Sequence, residues 1–157
     1  MKFSTQEEYG LRIILRIAYS DSANGLTIPE ISTLEGFSQS NTAKILRLLR
    51  LGGFIESARG QSGGYKLARP SEQIVISDIL EKLGGKLFEA SFCLEHSGTE
   101  SICTNSINCS IRSLWLAVQR SVDSVTKNLT LKQLMNDENS VKVFVDNLSN
   151  SKQNIAP

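Results

Sequence analysis

The chain has 157 residues, of which 40% are hydrophobic and 21% are charged, and its formal net charge is only +1. This length suits one compact domain with an additional arm, and the hydrophobic content is sufficient for a packed core. No apolar run approaches the length of a membrane-spanning helix, and the opening residues MKFSTQEEYG contain no signal-peptide core. We therefore expect a cytoplasmic protein that has no membrane partner.

Two helices are predicted in the first 36 residues. Ser4 or Thr5 can cap the first, and Glu8 stands where it could complete a capping box with Thr5. Apolar residues then recur at helical spacing to about residue 20. A second capping-box pattern precedes a short helix over residues 29–35, which Gly36 ends.

A third helix and a hairpin follow. Ser38 is placed to cap the third helix, which closes at Gly52, and the connection before it is short enough for a helix-turn-helix. Residues 54–57 and 64–67 have the composition of two strands joined by a glycine-rich loop. Three helices and a two-stranded ribbon make the winged form of the helix-turn-helix, so we predict a mainly α fold with a β wing.

Basic residues are concentrated in this head, with six of them against one acid, Glu56, between residues 38 and 70. Such an excess favours phosphate binding, although a solvated helix face is the alternative. The N-terminal residues of the second motif helix face base edges, its arginines suit phosphates, and a wing-tip arginine suits a minor groove. The predicted DNA-contacting residues are Ser38, Gln39, Ser40, Asn41, Thr42, Lys44, Arg47, Arg50, Arg59, Gly60, Gly63 and Gly64.

The only cysteines of the chain follow the head, at Cys93, Cys103 and Cys109. An odd number suits a disulfide scaffold poorly, and clustered thiols in a reducing compartment more often bind metals or act in redox chemistry. Thiolates suit iron–sulfur clusters or zinc. Three thiolates leave a four-coordinate site one ligand short, and His96 would complete a set suited to structural zinc. A switch of free thiols is a further alternative.

A long helix is predicted from residue 111, because apolar residues form one continuous stripe over about five turns. Such a helix has little of its own domain to pack on, so we predict that it forms a homodimer interface; packing within the chain is the alternative. A short returning helix is expected near residues 131–135. The predicted interface residues are Ile111, Leu114, Trp115, Val118, Val122 and Val125.

The predicted organisation has four parts. A DNA-binding domain covers residues 1–86, a cysteine-bearing cofactor loop 87–110, the dimerisation and return helices 111–136, and a flexible polar tail 137–157. We do not expect an enzyme, because the sequence shows no orienting acid or oxyanion hole to support a nucleophilic cysteine. A DNA-free adaptor that uses the long helix is also disfavoured.

Three sequence motifs match a known family. They are the opening Lys2-Phe3-Ser4 with Tyr9-Gly10-Leu11-Arg12, the wing Arg59-Gly60-x-x-Gly63-Gly64-Tyr65-x-Leu67, and Leu129-Thr130-Leu131-x-x-Leu134. With the three cysteines, they resemble the Rrf-type family of winged-helix, iron–sulfur-cluster-binding transcriptional regulators, the IscR, NsrR and RirA type. The resemblance covers roughly residues 1–136.

The resemblance implies a homodimer on a pseudo-palindromic operator in double-stranded DNA. It also implies a [2Fe–2S] or [4Fe–4S] cluster held by Cys93, Cys103 and Cys109, with Glu8 of the partner subunit matching the acidic ligand of the nitric-oxide-sensing members. Two features depart from the family: the nine residues before Cys103 exceed its usual spacing, and Arg112 stands where the IscR type has histidine.

From the motifs and the resemblance together, we expect a transcriptional repressor whose operator affinity depends on a cluster that senses nitric oxide, iron or redox state. The alternative is a regulator of the same fold that carries no cluster and uses structural zinc or a thiol switch.

Overall fold

The computed structural model describes residues 3–58, 63–89, 91–95, 97, 103 and 107–150. Its elements are α1 (Thr5–Ala18), α2 (Ile28–Glu35), α3 (Gln39–Leu51), β1 (Ile55–Ser57), β2 (Tyr65–Leu67), a 3₁₀ turn (Ser71–Gln73), α4 (Ile76–Gly84), α5 (Phe92–Glu95), α6 (Ser110–Thr126), α7 (Leu131–Leu134) and α8 (Glu138–Asn150). Helices α1 to α3 and the antiparallel strands form a winged helix-turn-helix, so the predicted mainly α fold class is confirmed. No helix in these ranges is long and apolar enough to cross a membrane.

Side-chain caps decide where α1 begins. Of the two predicted candidates, Ser4 is the cap, since its backbone is extended while Thr5 is already helical. Glu7 completes the capping box by accepting a hydrogen bond from the Ser4 backbone N–H at 2.7 Å. The alternative that pairs Thr5 with Glu8 is therefore wrong, because the box lies one residue earlier. Glu8 is left outside the cap, on the exposed side of the first turn.

The second predicted capping box is confirmed. Thr27 caps α2 and Glu30 accepts hydrogen bonds from both the backbone N–H and the hydroxyl of Thr27. These hydrogen bonds favour the charged carboxylate, the backbone bond most, and so lower the pKa of Glu30. Gly36 ends α2 at φ +72°, the left-handed conformation that favours glycine, and turns the chain toward α3.

One apolar core joins the helices of the head to the base of the wing. The helical spacing of isoleucine and leucine in α1, α3 and α4 gives each helix one buried side, and these sides meet. The buried cluster consists of Ile13, Ile14, Ile17, Ile31, Ile45, Leu46, Leu49, Phe54, Ile55, Ile74, Ile76, Ile79, Leu83, Leu129 and Leu131.

The wing is attached to the helical head at its base. In the hairpin, Ile55 lies opposite Leu67 and Ser57 opposite Tyr65. Leu26, from the connection between α1 and α2, forms a bridge to Tyr65 through two backbone hydrogen bonds, of 3.0 and 2.7 Å. The position of the wing therefore follows that of the helix-turn-helix.

The chain returns to the head after α6. The backbone N–H of Ile76 donates to the carbonyl of Leu129 at 2.9 Å, and the N–H of Leu131 donates to the carbonyl of Ile74 at 2.8 Å. Leu129 and Leu131 are both buried in the core of the head. Helix α7 stands where the short returning helix was expected, and it packs on the head through Leu131 and Leu134.

The last helix contradicts the expected flexible tail. Residues 138–150 form α8, which lies against α6, and Phe144 packs against the core of the head. A helical period is visible in the sequence once the helix is known, since four half-buried apolar residues recur at intervals of three, one and three. These residues are Val141, Phe144, Val145 and Leu148. The prediction failed because polar residues outnumber the apolar ones here; residues 151–157 lie outside the described part.

Candidate nucleic-acid interface and cysteine segment

The first turns of α3 present polar and basic side chains to solvent. The helix begins at Ser38, whose Oγ accepts a hydrogen bond from the backbone N–H of Asn41 at 3.3 Å. The apolar side of α3 lies in the core. This arrangement suits a major groove, where amides and hydroxyls can reach base edges and cations can reach phosphates. The exposed predicted contacts are Ser38, Gln39, Ser40, Asn41, Lys44, Arg47 and Arg50.

Thr42 does not belong to that exposed face. It is fully buried, and its hydroxyl accepts a hydrogen bond from Ser32 of α2 at 3.0 Å and donates one to the carbonyl of Ser38 at 3.1 Å. Its predicted DNA contact is therefore corrected to a structural role, that of joining the two helices of the motif. The sequence held the signal, since Thr42 shares a helical period with the buried Ile45, Leu46 and Leu49.

A set of contacts between α1 and the end of α2 fixes the approach to α3, and the sequence analysis missed it. The rings of Tyr9 and Phe37 stack at 3.9 Å. Glu35, whose side chain is only 6% exposed, binds Arg12 at 3.0 Å and Arg16 at 2.6 Å. Arg12 also lies 4.5 Å from the Phe37 ring centre. Phe37 directly precedes the cap of α3, so α1 packs directly against the residue that leads into the recognition helix.

The base of the wing is built around a buried glycine. The N–H of Gly64 donates to the carbonyl of Asn24, and the carbonyl of Gly64 accepts from the N–H of Ala58, both at 2.8 Å. A Cβ on Gly64 would lie 2.6 Å from backbone atoms of Gly25 and Leu26. Its role is close packing of backbones. Gly63 is half-buried beside it, while Arg59 and Gly60 lie outside the described residues.

The three cysteines are free and partly buried. Cys93 lies in α5, and Cys109 caps α6, with its Sγ accepting a hydrogen bond from the Arg112 N–H at 3.3 Å. Hydrogen bonds to sulfur are one means of tuning an iron–sulfur cluster. The described residues of this single chain contain no group of three or more potential metal ligands, and His96 lies outside them. The donor types fit a cluster or zinc, and the described residues of the single chain do not assemble them.

The side chain of Glu8 is exposed and takes no part in the cap of α1. It lies exposed on the first turn of α1, and the cap of that helix uses Ser4 and Glu7. Among the described residues, the structure gives the carboxylate of Glu8 no hydrogen bond or ion pair. The helix that bears Glu8 also carries Tyr9 and Arg12.

The apolar stripe of α6 is divided into two halves. Ile111 and Leu114 are 58% and 57% exposed and Trp115 is 40% exposed, so the described part of the chain leaves this end largely uncovered. Farther along, Val122 lines a cleft against Leu80 of the head. The predicted interface residues thus separate into exposed members, which are Ile111, Leu114 and Trp115, and half-buried members, which are Val118, Val122 and Val125.

We expect Asn41→Ala and Arg47→Ala to weaken DNA binding in different ways. Loss of a base contact at Asn41 costs about 1–3 kcal/mol and relaxes the preference at one base pair. Loss of a phosphate contact at Arg47 weakens binding to every sequence and lowers the slope of log affinity against log salt by about 0.9 per contact. Fluorescence anisotropy with operator and scrambled duplexes, over a range of salt, separates the two effects.

Lys142→Ala is the matched control for these variants, because Lys142 is an exposed cation on α8, away from the recognition helix. It is expected to leave both affinity and salt slope unchanged. An Arg47→Ala protein with the wild-type slope would remove Arg47 from the phosphate contacts.

The fold and this surface define a class of protein. A winged helix-turn-helix with a polar recognition helix and basic surroundings is a DNA-binding transcriptional regulator, and the protein is not an enzyme. The chain belongs to the Rrf2 family, whose model is described as an iron-dependent transcriptional regulator and matches residues 3–137.

Relatives of known identity agree with this assignment. The protein rrf2 of Nitratidesulfovibrio vulgaris, strain Hildenborough, is 31% identical over 137 residues, which is 87% of this chain and 89% of that protein. The oxidised form of CymR from Staphylococcus aureus is 28% identical with a TM-score of 0.66, covering 87% of this chain and 98% of CymR. IscR of T. potens is 25% identical with a TM-score of 0.66, covering 86% of each chain.

Proposed function

We propose that the protein is a homodimeric repressor that binds a pseudo-palindromic operator with an affinity controlled by an iron–sulfur cluster. The observation that carries the proposal is the position of the three free thiols, on the segment that links the head to α6. A change in that segment acts on both the DNA-binding head and the dimer. The family description as iron-dependent supports the choice of iron. The signal is nitric oxide, iron status or redox state.

Four residues are proposed as cluster ligands. They are Cys93, Cys103 and Cys109 of one subunit and Glu8 of the partner subunit. When bound, the cluster supplies a redox-active group whose carboxylate-held iron is the most open to attack, since a carboxylate is a harder partner for iron than a thiolate.

The contacts of α1 give the route from Glu8 to the operator. Glu8 lies on the same helix as Tyr9 and Arg12, which hold Phe37 and Glu35 just before α3. If Glu8 were a ligand, it would hold α1 against the partner subunit. Loss of that ligand would free α1, and the stacked rings of Tyr9 and Phe37 would carry its movement toward α3. The two binding sites would thereby be coupled.

The homodimer is proposed from the uncovered end of α6. Ile111, Leu114 and Trp115 present adjoining apolar side chains to solvent in the isolated chain. A large exposed apolar patch on a regulator is typical of an interface. Two heads related by a two-fold axis would meet two half-sites of a pseudo-palindrome.

The second candidate is a regulator of the same fold that carries no cluster. It is favoured by two observations: the described part of the chain assembles no metal-binding group, and the similar CymR is known in an oxidised form. In this case Cys93, Cys103 and Cys109 act as a thiol switch, or they bind zinc together with His96.

Metal analysis of anaerobically purified protein tests the proposal. We expect a coloured protein with equal iron and sulfide, and we expect Cys103→Ala to lose both, because one of three thiolate ligands is gone. Glu8→Ala is expected to lose iron faster to a chelator and to change operator affinity, whereas Glu72→Ala, an exposed acid elsewhere, does neither. A colourless protein with one zinc per subunit, or with no metal, would select the second candidate.

A further inference from the structure

A row of polar side chains on α6 holds the start of the cysteine segment. The Oε1 atom of Gln119 accepts a hydrogen bond from the backbone N–H of Phe88 at 3.0 Å. The Nε2 atom of Gln119 donates to Asp123 Oδ1 at 2.6 Å, and Lys127 Nζ donates to Asp123 Oδ2 at 2.7 Å. Residues 119, 123 and 127 are four apart and share one line along the helix. The row therefore joins the end of α6 to the beginning of the segment.

The chemistry of its neighbours permits only one orientation of the Gln119 amide. The Phe88 N–H can only donate, and an ionised Asp123 can only accept. The hydrogen bond from Lys127 is the largest effect on the pKa of Asp123 and lowers it. Burial opposes this effect, the hydrogen bond from Gln119 adds to it, and the net result is a lowered pKa, so Asp123 is ionised. Gln119 is consequently fixed at both ends of its amide, and a carboxylate in its place would face another carboxylate.

The contact at Phe88 reaches Cys93 through two aromatic rings. Phe88 is 7% exposed, and its ring centre lies 5.5 Å from that of Phe92, with the planes inclined by 50°. Phe92 is the first residue of α5 and directly precedes Cys93. The location of Cys93 is therefore set by where Phe88 is attached to α6.

The other end of the segment is attached to the same helix. Cys109 caps α6 ten residues before Gln119, which is about 15 Å along a helix. The chain between Phe88 and Cys93 turns, since the backbone N–H of Phe92 donates to the carbonyl of Glu89 at 3.1 Å. Cys93 is therefore kept close to Phe88, and its distance from Cys109 depends on where Phe88 is attached along α6.

We propose that Gln119 is a positioning residue that fixes Cys93 relative to Cys109, which caps the same helix, and that Asp123 and Lys127 hold Gln119 in turn. The inference rests on the proposed function in assuming that the three thiols serve one site. It goes further because it gives residues of α6 that are not proposed as ligands a role in positioning a cysteine of that site.

The test compares Gln119→Glu with the double variant Gln119→Glu/Asp123→Asn. In Gln119→Glu, the new carboxylate can still accept from the Phe88 N–H, but its other oxygen faces the carboxylate of Asp123. In the double variant, the side-chain amide of the asparagine at position 123 can donate to the new carboxylate and accept from Lys127, so the row of hydrogen bonds is restored. In metal-free protein we measure hydrogen exchange of the Phe88 amide and cross-linking of Cys93 to the other thiols by a bifunctional thiol reagent. In loaded protein we measure iron loss to a chelator.

Gln119→Glu is expected to speed exchange and iron loss about five- to tenfold, the loss of one hydrogen bond, and to lower the cross-link yield. The double variant is expected to return all three near the wild-type values, while Gln73→Glu, on the exposed 3₁₀ turn, changes none. Faster exchange with unchanged cross-linking and iron loss would overturn the positioning role. If wild-type protein holds no iron, the proposed function fails, and exchange and cross-linking still decide the role of Gln119.

Discussion

Replacing Leu114 with aspartate is expected to convert the protein from a dimer into a monomer and to reduce operator affinity at least about a hundredfold. Leu114 lies in the exposed half of the α6 stripe, between Ile111 and Trp115, where it is 57% exposed. A charge at the centre of a dimer interface must be buried without a partner, which is strongly unfavourable. Two linked heads bind an operator about 10²–10⁴ times more tightly than one, so separation of the subunits loses that factor.

The monomer itself is expected to remain folded, because Leu114 contributes little to the core of its own chain. Leu116→Asp is the matched control, since Leu116 lies on the same helix, is 38% exposed, and points away from the stripe. Sedimentation velocity gives the oligomeric state, and circular dichroism reports folding. A Leu114→Asp protein that sediments as a dimer and binds operator normally would contradict the proposed interface.

The fold could be predicted from the sequence because its signals are local. Capping residues, helical periods and the glycine-rich hairpin each act over a few positions, and they gave the order of helices, the wing and the returning helix. The boundary error at the first helix was also local. Ser4 and Thr5 are both good caps, and only the backbone conformation, extended at Ser4, shows that the box uses Glu7.

The site was predicted less completely, because its parts depend on contacts between distant residues. Thr42 has a hydroxyl near the start of the recognition helix, as a base contact requires. That hydroxyl is buried, however, where it accepts a hydrogen bond from Ser32 of the neighbouring helix. The link from Tyr9 to Phe37 joins residues 28 positions apart in the sequence. One sequence alone does not show which residues far apart in the chain are in contact.

The apolar stripe of α6 was recognised in the sequence, but its interpretation as a single dimer interface was incomplete. A continuous stripe predicts one apolar side of a helix, and the structure shows that the head covers part of it, at Val122. The stripe therefore packs against the head near Val122 and is exposed to solvent near Leu114. The packing of α8 against α6 was not predicted, because α8 has few apolar residues to reveal its helical period.

Gly64→Ala is expected to destabilise the protein by about 3 kcal/mol and to displace the wing. The added Cβ would lie 2.6 Å from backbone atoms of Gly25 and Leu26, which cannot rotate away as a side chain can. Overpacking costs about 1–3 kcal/mol. Separation of the backbones also weakens the hydrogen bonds of Gly64 to Asn24 and of Leu26 to Tyr65, which are worth about 1 kcal/mol each. Because Gly64 belongs to the base of the wing, operator affinity is expected to fall as well.

Gly53→Ala separates this steric effect from backbone strain. Gly53 has φ +71° and open space around its Cβ position, so alanine there costs only about 1–2 kcal/mol of left-handed strain and leaves the wing in place. Urea unfolding at one protein concentration gives the two free energies. Hydrogen exchange at the Leu26 and Tyr65 amides, both bonded at the base of the wing, shows where the structure opens. Equal stability losses with unchanged exchange at those amides would mean that the wing does not depend on the close approach at Gly64.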